Sequence, residues 1–571
     1  MAKRSPIGVD DYSKLVDQSN NYLFIDKTLF IKEFIDRGLE VSLITRPRRW
    51  GKTLTMSMLQ HFFAPEVNGA STKGLFNNLN IGTIDNASYL SYQGKNPVIF
   101  ISFKNIKPDS WELFLEKIIE LMANVYREHA RSLFESERLL EYDKNLYKVI
   151  LEGKCNQSQL ENSLKTLSAM LFYHYGKKVI ILIDEYDSPL NAAYGQAHFE
   201  KMVDFFKALF GAALKGNPAM EKGVMTGILR LSKNRMLSDI NNLKLYSFME
   251  DQYSSWFGFS ENEVKSLLQE SNLDIKIKEV QHWYNGYTSG RLQTVYNPWS
   301  ILNCIEDKGM LKTYWVKTGD ESLLKTIFNS AYKNVEDKLV QLLEGKSIDS
   351  GIDEYISFDQ IPNGGEQVLW SLLWATGYLK FSEPPTFSEM GNYIGLLAIP
   401  NYEVSCSYRA IFPKWMRSFN RVKYDSFLSN LVSGNIEVFV KDLEDYMLTI
   451  PSYFDFPRES NYHTFLLGLT ASLKETHDVH SNQEAGFGRL DMLLIPKNTS
   501  NNLAIMLEFK RKEGKKDLKK YHQVANEGLE QIEIKKYSSI LNSFPHIKQI
   551  LKLCIVFYGK QFICKFCFEQ M

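Results

Sequence analysis

"LITRPRRWGKTLT", residues 43–55, decides how the first part of this chain is read. It continues the apolar run "EVSLIT" (40–45) and opens a segment in which Leu54, Met58, Leu59 and Phe62 recur at helical spacing. A strand, a tight connection and an amphipathic helix are the setting in which Gly51-Lys52-Thr53 binds phosphate. The first N–H groups of the helix face the anion, and the helix dipole favours its charge. Lys52 would reach the β- and γ-phosphates and the Thr53 hydroxyl would hold Mg²⁺. The usual spacing, G-x-x-x-x-G-K-[ST], asks for glycine at position 46, where this chain has Arg46. Taken alone, the segment is better read as a basic loop opening an ordinary helix, with Arg46, Arg48 and Arg49 in a solvated turn.

The surroundings favour the phosphate loop. Roughly the first 240 residues alternate β-branched runs with helical stretches, the pattern of a parallel α/β sheet. "EVSLIT", "PVIFISF" (97–103), "KVIILID" (178–184) and "KGVMTGIL" (222–229) are near-continuous apolar runs, as strands covered on both faces should be. The third ends in Asp184 and Glu185. An ATPase needs two carboxylates at such a strand end, one holding Mg²⁺ through water and one polarising the attacking water. Asp184 takes the first role and Glu185 the second. Thr226, in the fourth strand, is placed as a polar sensor of the γ-phosphate, and Arg230 follows as a sensor or salt-bridge residue. "PVIFISF" lies between the two motifs in sequence and is expected as the additional strand beside the phosphate-loop strand.

With 571 residues the chain exceeds one ordinary core, and three regions are expected: 1–240, a mostly helical middle region 241–450, and 451–571. In "YNPWSILNCI" (296–305), Asn297 can cap and Pro298 can occupy the first turn of a helix. Lys and Arg together match Asp and Glu at 67 each, so contact with a polyanion must come from a local patch. Residues 510–520, "KRKEGKKDLKK", hold seven basic residues and are that patch, or else a solvated loop. Scattered cysteines fit a reducing compartment, and no apolar run approaches the ~20 residues that span a bilayer. A cytoplasmic protein without membrane contact is expected.

The carboxyl-terminal region carries a second constellation. "GRLDMLLIP" (488–496) and "LAIMLEFK" (503–510) read as strands joined by the polar turn "KNTSNN". In a symmetric hairpin the numbers of facing residues sum to 999, which sets Asp491 opposite Glu508. Lys510 shares the face of Glu508, because strand side chains alternate. Two carboxylates and a lysine suit metal-assisted phosphodiester cleavage: the carboxylates hold Mg²⁺, a metal-bound water is activated, and the lysine steadies charge. A structural Glu–Lys pair with Asp491 as a strand cap is the bland alternative. Cys564 and Cys567 form a C-x-x-C with no second pair to complete a zinc set, and His477 and His480 read as loop histidines facing solvent.

"SPIGVDDYSKL", "YLFIDKTLFIKEFID", "LITRPRRWGKTLTMSML", "VIILIDEYDSPL", "TGILRLSKNRMLSDINNL", "WYNGY" and "YNPWSIL" together resemble the bacterial AAA-ATPase-like proteins. These carry Arg-Pro-Arg-Arg-aromatic-Gly-Lys-[Ser/Thr], so the resemblance makes Arg46 that family's own form of the loop. It adds Arg48, Arg49 and Trp50 to Gly51, Lys52 and Thr53 as ATP-site residues. It implies an AAA-like P-loop sheet, a helical, winged-helix-like middle region and a carboxyl-terminal domain of restriction-endonuclease-like α/β fold. Asp491, sixteen residues, Glu508-Phe-Lys510 and the helical "ANEGLEQIEIKKY" are similar to the PD-(D/E)XK nucleases. Leu490 stands where that motif's name has proline. Glu475 and Glu484 compete for the helical acid, with His463 nearby, and Gln531 resembles the helical glutamine, with Tyr537 beside it. The resemblance implies ATP hydrolysis with Mg²⁺, coupled to cleavage of nucleic acid, DNA in the first instance, with homo-oligomers one option. The rival from another class is a nucleotide-dependent switch or scaffold whose carboxyl-terminal domain is inert and only binds a partner.

Overall fold

A computed structural model describes residues 3–229, 237, 240–290, 292–315, 335–343, 345–356, 365–389, 391–408, 424–449, 470, 473, 476–485, 488–511, 518–535, 537–558 and 561–571. Arg230, Glu475, His463, residues 512–517 of the basic run and most of "NYHTFLLGLTASL" lie outside them. The fold is α/β, and the chain divides into two compact units. One comprises Met1–Ser330 with Ser347–Val404, the other Ala331–Lys346 with Ser405–Met571.

The first unit is built on five parallel strands: β1 (Val41–Thr45), β2 (Val98–Ser102), β3 (Val179–Asp184), β4 (Met220–Gly227) and β5 (Leu243–Tyr246). Their spatial order is β2-β3-β4-β1-β5. β1 and β3 are buried along their whole length, which is why they read as unbroken apolar runs. The order corrects one expectation. The strand from "PVIFISF" is β2, at the sheet edge beside β3, and the strand inserted beside β1 is β4. Which neighbour a parallel strand takes depends on its crossover connection, which local sequence does not record. A fifth strand, from beyond residue 240, closes the other flank of β1.

The Lys52–Phe63 helix leaves β1 after the loop and lies on the sheet, with Met58, Leu59 and Phe62 in one cluster with Ile44, Ile180, Leu182 and Val224. Register places Ser102 beside Asp184, and Ile183 beside Met225, so the carboxyl ends of β2, β3 and β4 finish in one row. In open α/β sheets ligands bind at this edge.

The middle of the chain is less purely helical than expected. Short strands at 259–260, 287–289 and 292–296 form a three-stranded sheet, and those at 348–352, 380–381, 386–387 and 393–398 a four-stranded one. The Pro298–Glu306 helix starts as expected, with the Asn297 side chain accepting from Trp299 and Ser300 N–H groups.

The second unit contains a mixed sheet in sequential order: β6 (His477–Ala485), β7 (Gly488–Pro496), β8 (Leu503–Arg511), β9 (Gln549–Tyr558) and β10 (Gln561–Gln570). β7 pairs antiparallel with β8 through Met492–Leu507, Leu493–Met506 and Leu494–Ile505, each pair summing to 999. β8 and β9 are parallel, and the crossover between them contains the Leu518–Ile534 helix. Tyr521, Val524 and Ala525 of that helix pack on Cys554, Val556 and Ile563. Gly528 brings it closer still: a Cβ there would stand 2.3 Å from the Cys554 sulfur and 4.0 Å from Glu508 Cγ. His477 and His480 sit on β6, three positions apart and therefore on opposite faces, not in a loop.

Candidate functional sites

The loop between β1 and its helix reverses hand twice. Arg49 has φ 66° and Gly51, the helix N-cap, φ 82°. Left-handed residues set into a turn aim successive N–H groups into one concavity, the geometry that binds anions. An open cleft of about 470 Å³ lies against it. Arg48 to Thr53 all contribute to its wall, with Lys104 and Glu185. Ile7, Val9, Leu23, Trp256, Trp299 and Leu302 supply apolar surface.

Lys52 is buried, and its ammonium donates to the carbonyls of Arg46 and Pro47, each at 2.9 Å. Burial lowers its pKa, opposed by Glu185, Asp184 and Asp187. Arg46 does not belong to a solvated turn. It is 1% exposed, donates to the carbonyls of Thr45 and Tyr246 at 2.7 and 2.8 Å, and lies between the rings of Phe248 and Phe257. Burial pulls its pKa down to about 9. The side chain replacing the expected glycine is thus turned into the core, which is how the loop accommodates it. Trp50 is also buried, edge-on to Phe248 and Tyr287; of Arg48, Arg49 and Trp50 only Arg49 is exposed, its guanidinium 4.1 Å from the centre of Trp299.

Asp184 is fully buried and is gripped by three hydroxyls from three elements. Thr53 donates to Oδ2 at 2.8 Å, Ser102 to the same oxygen at 3.3 Å and Thr226 to Oδ1 at 2.5 Å. Thr226 therefore reaches the carboxylate from within the sheet, on the strand next to it. Glu185 has φ 50°, a left-handed conformation that costs a side-chain-bearing residue about 1–3 kcal/mol and concentrates at functional positions. Burial raises its pKa and Lys52 lowers it. A carboxylate beside the cleft, strained and partly desolvated, is suited to accept a proton from water.

In the second unit, Asp491 and Glu508 meet as the register demands. Asp491 Oδ2 accepts from the Phe509 N–H at 2.8 Å. Glu508 is 2% exposed, and its Oε1 accepts from Lys510 at 2.8 Å and Gln531 at 2.6 Å. Gln531 also contacts the Tyr537 hydroxyl at 3.3 Å. Glu508 Oε2 is buried with no hydrogen-bond partner among the described residues. Burial, then the nearby Asp491, pushes the Glu508 pKa up to about 7, against the pull of Lys510. A buried, unsatisfied carboxylate oxygen beside a second carboxylate fits a hard divalent cation. Among the described residues no three His, Cys, Asp or Glu side chains cluster closely enough to hold a metal alone.

Residues 6–237 match the family described as "Predicted AAA-ATPase", and residues 457–566 match the PD-(D/E)XK nuclease superfamily. The chain joins an AAA-ATPase-like domain to a PD-(D/E)XK nuclease-superfamily domain. It is also similar, at 24% identity over 528 residues and 89% of each chain, to a protein of Azotobacter chroococcum mcd 1 described as "Uncharacterized protein in vnfD 5'region".

Several residues of the AAA-ATPase-like domain escaped the sequence reading. Ser102 was readable in principle, as the last residue of a strand whose parallel neighbour ends in Asp184. Asp187 is buried and accepts from the N–H groups of Ile228 and Leu229 at 2.9 and 3.1 Å, while the Tyr186 hydroxyl donates to the Leu229 carbonyl at 2.6 Å. "DEYD" thus fastens the segment leaving β4, just before Arg230. In the nuclease-superfamily domain, Glu484 is on β6 opposite Arg489, so one of the two rivals for the helical acid stands on a strand.

Among the described residues no helix is long and apolar enough to cross a membrane.

Proposed function

We propose that the chain is a cytoplasmic ATPase whose carboxyl-terminal domain cleaves nucleic acid, DNA in the first instance, with Mg²⁺ at both sites and with 1–240, 241–450 and 451–571 as its working parts. The observation that carries the ATPase reading is the hydroxyl–carboxylate pair of Thr53 and Asp184 at 2.8 Å, with Lys52 and Glu185 on the adjoining cleft. In this reading the loop amides and Lys52 bind the phosphate chain, and the apolar wall takes the base. Thr53 and Asp184 would hold Mg²⁺, whose charge would offset that of the phosphates. Glu185 orients the attacking water and takes its proton. Arg230 lies outside the described residues, so its sensor role rests on sequence alone.

In the carboxyl-terminal domain Asp491 and Glu508 would hold the metal, which there supplies an activated water and charge neutralisation. Lys510, on the same strand face as Glu508 and paired with its Oε1 at 2.8 Å, would steady the scissile phosphate. Support comes from the unpartnered Glu508 oxygen. The switch reading keeps one specific support: Lys510 is already paired with Glu508 at 2.8 Å, a self-sufficient structural contact.

One experiment separates them. ATP turnover and Mg²⁺-dependent cleavage of single- and double-stranded DNA and RNA are measured for wild type, Lys52→Ala, Asp491→Ala and Lys510→Ala. The two-site enzyme predicts turnover lost only in Lys52→Ala, and cleavage lost in Asp491→Ala and Lys510→Ala. Turnover without cleavage by the wild type, with and without ATP, gives the switch. Equal turnover in wild type and Lys52→Ala removes the ATPase.

A further inference from the structure

Each of the five residues before Gly51 is held by a segment that follows residue 245. Arg46 is bound by Tyr246 and the rings of Phe248 and Phe257. Pro47 lies so near Gly377 that a Cβ there would stand 3.2 Å from its ring. The Arg48 carbonyl accepts from the indole N–H of Trp315 at 3.1 Å, Arg49 stacks on Trp299, and Trp50 is wedged by Phe248 and Tyr287. Of these contacts the one to Arg48 bears most directly on phosphate, because it fixes a peptide plane.

The chain has no cis peptide among its described residues, so the carbonyl of Arg48 and the N–H of Arg49 point in opposite directions. Arg48 and Arg49 line the cleft and Trp315 does not. With its carbonyl drawn back to Trp315, the 48–49 peptide directs the Arg49 N–H away from Trp315. Were the plane to rotate, a carbonyl dipole would meet the anion in place of a donor, and the loop would repel what it should bind. Trp315 is itself held. Glu403, buried, accepts from the backbone N–H groups of Tyr314 and of Trp315, the latter at 2.7 Å, and from the Ser300 hydroxyl at 2.7 Å. The Trp315 ring packs on Tyr378.

We propose that Trp315 is a positioning residue of the phosphate cradle, fixing the 48–49 peptide so that its N–H faces the ligand, with Glu403 securing Trp315 in turn. The inference rests on the cleft being a nucleoside triphosphate site. It gives the middle of the chain a part in nucleotide binding.

The test is calorimetric titration of the full chain with ATP, ADP and adenosine, each with Mg²⁺. The proteins are wild type, Trp315→Phe, and a form in which the Trp315 indole alone is replaced by benzothiophene, which keeps the ring's shape and lacks the N–H. The expected result is about tenfold weaker ATP and ADP binding in both altered proteins, the worth of one well-placed charge-assisted hydrogen bond. Adenosine affinity stays unchanged. A role in packing alone would weaken adenosine as much as ATP, and that outcome overturns the proposal, as does unaltered ATP affinity in the benzothiophene form. Should Trp315→Phe not fold, the benzothiophene form decides. Wild type that binds none of the three ligands refutes the nucleotide reading itself, and this inference with it.

Discussion

Glu508→Gln should make the carboxyl-terminal unit more stable, and increasingly so as pH rises. In the folded chain the Glu508 carboxyl titrates near 7 in place of its ordinary 4.5, because it is buried beside Asp491. An acid whose folded pKa is raised holds its proton more firmly folded than unfolded. Stability is therefore greatest below 4.5, falls as pH climbs, and levels off above 7. The loss across that window is about 3 kcal/mol, at about 1.4 kcal/mol per pH unit. Glutamine cannot ionise, and it retains an acceptor for Lys510 and Gln531. The advantage of the variant over wild type should thus grow by about 2–3 kcal/mol between pH 5 and pH 8. Because a chain of several units does not unfold in one step, a local probe is needed. Amide exchange of β8 and β9, read by mass spectrometry with chelator present, provides one. Mg²⁺ should return much of the lost stability to wild type at pH 8, little at pH 5, and none to Glu508→Gln. A difference between the two proteins that stays flat from pH 5 to pH 8 would refute the claim that burial beside Asp491 costs Glu508 more than Lys510 returns.

Other outcomes follow from the same geometry. Glu185→Gln should bind ATP about as tightly as wild type while turnover falls about 10²–10⁴-fold, the usual worth of a general base; steady-state phosphate release paired with equilibrium binding checks it. Thr226→Val removes one of the three hydroxyls on Asp184 and should cost about 1–3 kcal/mol of stability, measured by denaturant unfolding of the first unit. Gly528→Ala drives a methyl against the Cys554 sulfur and should destabilise the carboxyl-terminal unit by about 1–3 kcal/mol, with recovery in Gly528→Ala/Cys554→Ala seen by the same exchange measurement.

How much of this could be read beforehand depended on the range of the interaction involved. β1 and β3 were legible because complete burial writes a continuous apolar run, and the β7–β8 register because a short symmetric turn fixes facing pairs by arithmetic. Asp491, Glu508 and Lys510 came together for that reason. The place of β2 was not legible, since strand order is decided by crossovers through intervening helices. Nor was Arg46: an arginine in a basic turn looks solvated until the Tyr246 carbonyl, 200 positions away, is brought against it. The same limit hid Trp315 and Glu403, whose partners lie 267 and 103 positions distant. Glu185 was chosen from its position after Asp184, but its left-handed backbone could be known only from the fold.

The inward-facing arginine has a practical consequence for anyone dissecting this molecule. A fragment cut where the amino-terminal family match stops, at residue 237, would keep Arg46 but lose Tyr246, Phe248 and Phe257. Its guanidinium would keep the Thr45 carbonyl but lose that of Tyr246 and the rings that shelter it, and Trp50 would lose both of its edge-on neighbours. Such a piece could look inert in a binding assay merely because its loop had collapsed. Truncation series should therefore carry the chain to at least residue 404, where the first compact unit closes.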